Sequence, residues 1–85
     1  MKPSQTQIRK IKELAAELPP VFKIVKESTG GKDTVIRQDH FKVILGYLQQ
    51  GKMDKLDQYL ADVSTINVSH EKMIQGMNER LRSIL

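Results

Sequence analysis

The chain has 85 residues, 39% apolar and 28% charged, with no cysteine, no tryptophan and a net charge of +4. That balance fits a small folded domain rather than a disordered segment, and the missing cysteine excludes disulfides, Cys-based zinc sites and thiol chemistry. No run approaches the roughly 18 apolar residues of a membrane span, and the polar start MKPSQTQIRKIKEL has no signal-peptide core. A single cytoplasmic domain over 1–85, making no membrane contact, is the expectation.

Ser4-Gln5-Thr6-Gln7 carries a capping-box pattern, in which the Ser and Gln side chains each satisfy a backbone amide of the first turn. Ile8, Ile11, Leu14, Ala15 and Leu18 follow at helical spacing. Pro19-Pro20 stops the run, because proline disfavours helical geometry in the residue before it. The first helix is predicted over 5–18.

Residues 21–38 admit two readings. VFKIVKE and TVIRQ are β-branched and aromatic, and STGGKD between them is a turn with two glycines that tolerate positive φ. This favours a hairpin over the rival, a short helix from Pro20 to Ser28 closed by Gly30.

A second helix is predicted over 40–50, N-capped by Asp39 and closed by Gly51, with Phe41, Ile44, Leu45 and Leu48 as its stripe. Met53, Leu56, Leu60 and Val63 begin another stripe at once, so the two helices are expected as antiparallel neighbours. Residues 45–60, LGYLQQGKMDKLDQYL, resemble one unit of a tetratricopeptide repeat. No second copy follows at that family's spacing, and the segment is read as a generic αα-hairpin.

VSTINVSH, residues 63–70, poses the main question of architecture. One heptad register runs unbroken from Met53, with Met53, Leu60, Asn67, Ile74 and Leu81 at one seam position. Leu56, Val63, His70, Met77 and Ile84 fall at the other. A continuous helix over 53–84 would span roughly 48 Å. Against it, Val63 to Ser69 are poor helix formers, at a summed cost of roughly 3–4 kcal/mol. Ser69 also reads as an N-cap with Glu71 in the first turn. The reading adopted is a break, with helices over about 53–65 and 70–84.

Residues 1–42 hold nine Lys/Arg against five Asp/Glu, a net of +4, and residues 43–85 are balanced. STGGKDT lacks the spacing of a phosphate-binding loop. His40 and His70 show no helix-spaced metal-ligand pattern, and each is read as a surface or satisfied histidine. Nothing assembles a nucleophilic triad. The helix after Gly51 carries Asp57 and Asp62, which phosphate would repel from a groove. An enzyme is not expected, and neither a cofactor, a metal nor a small-molecule substrate is predicted.

The expected fold is mainly α, three to four helices with a small β-hairpin near 21–38, and α+β if that hairpin forms. The leading functional expectation is a non-enzymatic interaction or assembly module that self-associates or binds a protein through its C-terminal helix, 70–85. Its association face would be Met73, Ile74, Met77, Leu81 and Ile84. The alternative is an accessory nucleic-acid-binding protein. Its basic surface would be Arg9, Lys10, Lys12, Lys23, Lys26, Lys32 and Arg37, making sequence-independent phosphate contacts.

Overall fold

The computed structural model describes residues 3–85. Four helices, α1 (Gln5–Ala16), α2 (Arg37–Gln49), α3 (Met53–Asp62) and α4 (Val68–Ile84), pack with an antiparallel sheet. The sheet has three strands, β1 (Lys23–Lys26), β2 (Thr34–Ile36) and β3 (Val63–Thr65), in the order β2-β1-β3. The fold is α+β, mainly helical.

The capping box forms as its residues dictate: the Gln7 amide donates to Ser4 Oγ at 3.1 Å and the Ser4 amide to Gln7 Oε1 at 2.9 Å. The helix ends at Ala16, two residues short of expectation. Leu18 nevertheless reaches the core from the turn, because Pro19-Pro20 forbids the helix but not the burial.

The hairpin reading of 21–38 holds. β1 pairs with β2 about a loop containing one 3-10 turn, and Gly30 and Gly31 take φ of 69° and 77°. α2 begins at Arg37 rather than 40. Ile36 is its N-cap and offers no side-chain hydrogen bond, while Asp39 lies inside the first turn. Tertiary pairing of Ile36 with Lys23 has fixed the chain where propensity alone would have started the helix later. Gly51, φ 70°, closes α2 as expected and turns the chain directly into α3.

VSTINVSH is a break. α3 ends at Asp62, not 65, and Val63–Thr65 form a third strand on the free edge of β1. β-branched residues that cost a helix suit a half-buried strand. The Glu71 carboxylate accepts the Thr65 amide at 3.2 Å, so a side chain occupies part of the outer edge of β3. The next helix starts at Val68 and is capped by Asn67, whose Oδ1 accepts the Ser69 amide at 3.0 Å; Ser69 is not the cap.

One core draws on every helix, with Ile11, Ile44, Leu48, Leu56, Ile74 and Leu81 all but fully buried. Ile24 of β1 is 0% exposed and carries the sheet onto it. Asn78 of α4, also buried, donates to the Leu60 carbonyl at 3.1 Å. That bond satisfies one of the last carbonyls of α3, which have no partner within the helix.

Candidate functional site

Strand register decides which residues leave the core. Directly opposed residues in an antiparallel pair share a face, and successive residues alternate. Ile24, Val35 and Thr65 are in register and face the helices with Ile24. Lys23 and Ile36, paired with each other, therefore face away, as do Val25, Thr34 and Ser64. Ile66 extends the same row, its amide donating to the Lys23 carbonyl at 3.4 Å.

The result is an outer sheet face with the row Ile36, Lys23, Ile66 across it. Ile36 is 47% exposed and Ile66 61%. Val21, two residues before Lys23, and Val68, two after Ile66, are more exposed still at the same end of the sheet. These four stand out among the large exposed apolar side chains, with Met73 of α4 apart from them. Lys23 is the one charged residue of the outward positions just named.

Ile36 breaks a local rule in this place. The N-cap favours Ser, Thr, Asp or Asn, whose oxygen accepts an orphan amide. Ile36 there gives α2 no side-chain cap and leaves about half of its surface in solvent. Its place is set by strand pairing with Lys23 rather than by capping or by the core.

The anticipated association face is mostly inside the molecule. Ile74, Met77 and Leu81 are buried in the chain's own core, where α4 packs on α1 and follows β3. Met73 is exposed and Ile84 half-buried at its margin. The heptad register survives the break because α3 and α4 each present a stripe to the same core, not because they form one seam.

The basic residues are not gathered on one face. Lys23 and Lys26 are three apart in a strand and point to opposite sides of the sheet. The Arg37 guanidinium donates to the Pro19 carbonyl at 3.2 Å. Lys10 shares a groove with Glu13, Glu17 and Arg80, the last two joined by a salt bridge that holds the Glu17 carboxyl below its ordinary range. Arg9, Lys12 and Lys32 are exposed on α1 and in the hairpin loop.

His40 is buried, not on the surface. Its Nδ1 lies 2.9 Å from the Tyr59 hydroxyl, and its Nε2 has no partner. Burial pushes the imidazole down to about 4 and raises the Tyr59 phenol. His70 is half-buried, edge-on to Phe22 with ring centroids 6.3 Å apart. Among the described residues no three His, Asp or Glu come together as a metal site.

Tyr59 also lines a groove of about 600 Å³ between the hairpin loop and α3. Lys26, Tyr47, Lys55 and Gln58 are also in its lining. Of these only Lys26 was marked by the sequence, because Tyr47 and Lys55 sit on helices whose periodicity reports the core stripe and nothing beyond it.

Family models, curated proteins and solved structures give no match to the chain. Among the described residues no helix is long and apolar enough to cross a membrane.

Proposed function

We propose that this protein is a non-enzymatic interaction module that engages a protein partner through the outer face of its sheet. The observation that supports this most is Ile36: an exposed apolar residue at a helix N-cap, in one row with Lys23 and Ile66.

The face also suggests the partner's chemistry. Apolar side chains flank a single ammonium, so the complementary surface is apolar around a carboxylate. A second copy fits poorly, since face-to-face pairing brings two Lys23 charges together. Three strands about 4.8 Å apart and three or four residues long give a footprint of roughly 15 by 12 Å. That falls far short of the about 800 Å² per partner of a standard stable interface. A short partner segment, held weakly and reversibly, is the occupant we favour. Association through α4 would have only Met73 and the margin of Ile84 to offer.

The test is cross-linked capture in the producing cell with wild type and the double variant Ile36→Asp/Ile66→Asp. Both side chains are exposed, so the variant keeps its fold, checked by circular dichroism. The expected result is a captured protein that the variant loses. Identical capture by both chains would sink the reading.

A further inference from the structure

The groove beside Tyr59 is a second site, on the other side of the sheet from the row Ile36, Lys23, Ile66. Lys26, at the end of β1, shares the face of Ile24 and reaches over the Tyr59 ring, Nζ to centroid 6.0 Å. Tyr47 stands edge-on to Tyr59, centroids 6.2 Å apart at 62°. Lys55 and Gln58 line the groove from α3.

Its charges are unbalanced in a specific way. Asp62 is the carboxylate that lines it, and Ser28 occupies both of its oxygens: the Ser28 amide donates to Oδ1 at 2.6 Å and the hydroxyl to Oδ2 at 2.5 Å. The hydroxyl of Thr29 is likewise spent on the Lys26 carbonyl, at 2.9 Å. The salt bridge found among the described residues is Glu17–Arg80, so neither Lys26 nor Lys55 is ion-paired. The groove thus carries two ammoniums against one carboxylate, a net charge of +1, with the Gln58 amide and the ring of half-buried Tyr47 beside them. Its volume lies within the roughly 300–1,000 Å³ of small-molecule sites.

We infer that this groove binds a phosphate ester carried by a planar ring, that is, one nucleotide unit, with Lys26 and Lys55 on the phosphate and Tyr47 against the ring. Ammoniums hold phosphate oxygens as point charges, and a base stacks on an aromatic side chain whatever its identity.

The test follows amide shifts in ¹H–¹⁵N spectra during titration with adenosine monophosphate, adenosine and inorganic phosphate. The expected result is saturating shifts at Lys26, Tyr47, Lys55 and Gln58. The monophosphate should bind roughly tenfold tighter than phosphate, the contribution of one stacked base. Lys55→Glu, at an exposed position, should weaken it by a further factor of roughly ten by reversing one of two charges. Tyr47→Leu keeps apolar volume and should reduce the monophosphate to the level of phosphate. The adenosine trinucleotide, titrated in parallel, separates the sources: tighter binding than the monophosphate assigns a nucleic-acid strand, equal binding a free nucleotide. Three results would each overturn the inference. They are no saturation up to roughly 10 mM, ten times a millimolar Kd; shifts spread over all lysines; or equal affinity for monophosphate and phosphate. Partner capture through Ile36 and Ile66 does not enter any of these readouts, so the two proposals stand or fall separately.

Discussion

His40 Nδ1 and the Tyr59 hydroxyl lie 2.9 Å apart in the core, joining α2 to α3. Burial of the imidazole makes stability depend on pH. His40 is held down to about 4 by burial, against 6.5 unfolded, so between those values the unfolded chain binds the extra proton. Stability is therefore full above pH 6.5 and falls as pH drops towards 4, by roughly 3 kcal/mol in all if the shift is taken at face value. Thermal melts should show Tm level above pH 7 and declining from 6.5. Carboxylates join in below about pH 5, so the stretch from 6.5 to 5 belongs to histidine. His40→Leu should flatten that stretch. A decline unchanged in the variant would show that His40 is not its source.

Tyr59→Phe removes the hydroxyl and leaves a buried imidazole nitrogen unsatisfied, which costs roughly 1–3 kcal/mol. The double variant His40→Leu/Tyr59→Phe removes both polar partners and should recover part of that loss. Denaturant unfolding of the four chains measures the coupling, and strictly additive effects would show that the contact contributes nothing.

Ile36→Asp should stabilise the protein. It supplies the cap that α2 lacks, for about 1 kcal/mol, or some 4–8 °C in Tm for a domain of this size. An unchanged or lower Tm would mean that Ile36 contributes packing its exposure does not reveal, and would weaken the case that it is kept for binding.

Lys23 stands between Ile36 and Ile66 and works against sheet-on-sheet association. A charge inside an apolar row is a common protection of exposed sheet surface. Sedimentation equilibrium should find the wild type monomeric, and Lys23→Ile should introduce concentration-dependent association. A variant as monomeric as the wild type would show that the ammonium has no such role.

Leu81→Ala should strongly destabilise the monomer rather than dissociate an oligomer. Its side chain is fully buried, and such truncations cost roughly 2–5 kcal/mol against a total of 5–15. Asn67→Leu should lose the α4 cap, about 1 kcal/mol, with no change in molecular mass. A mass change in either variant would restore α4 as an association element.

Much of the helical frame is legible from local chemistry. Ser4 and Gln7 announce the start of α1, Gly51 the end of α2, and Gly30-Gly31 the hairpin. Poor helix formers from Val63 to Ser69 announce the break. What local chemistry cannot carry is partnership. β3 is three residues long, too short for a period, and its partner β1 lies far back in the chain. Without that pairing, Ile66 is one more apolar residue and Ile36 the end of a strand; only the register sets them in one row with Lys23. The stripe of Ile74, Met77 and Leu81 is visible in the sequence, but periodicity does not distinguish a helix that needs a second copy from one that folds back on α1. His40 hides for the same reason, since its burial depends on Tyr59, a turn and a helix away.

The strand order β2-β1-β3 also sets a schedule for synthesis. β2 follows its partner closely, but the other edge of β1 waits until Val63–Thr65 have been made. At 5–20 residues per second, the stretch from Lys26 to Val63 takes about 2–8 s. Throughout that interval one edge of β1 has no partner and Ile24 is without its full core. Asp62 is the last residue before the strand that closes that edge, and the core itself is completed only when Ile74, Met77 and Leu81 of α4 have followed, so chains arrested anywhere short of α4 would be the ones to clump.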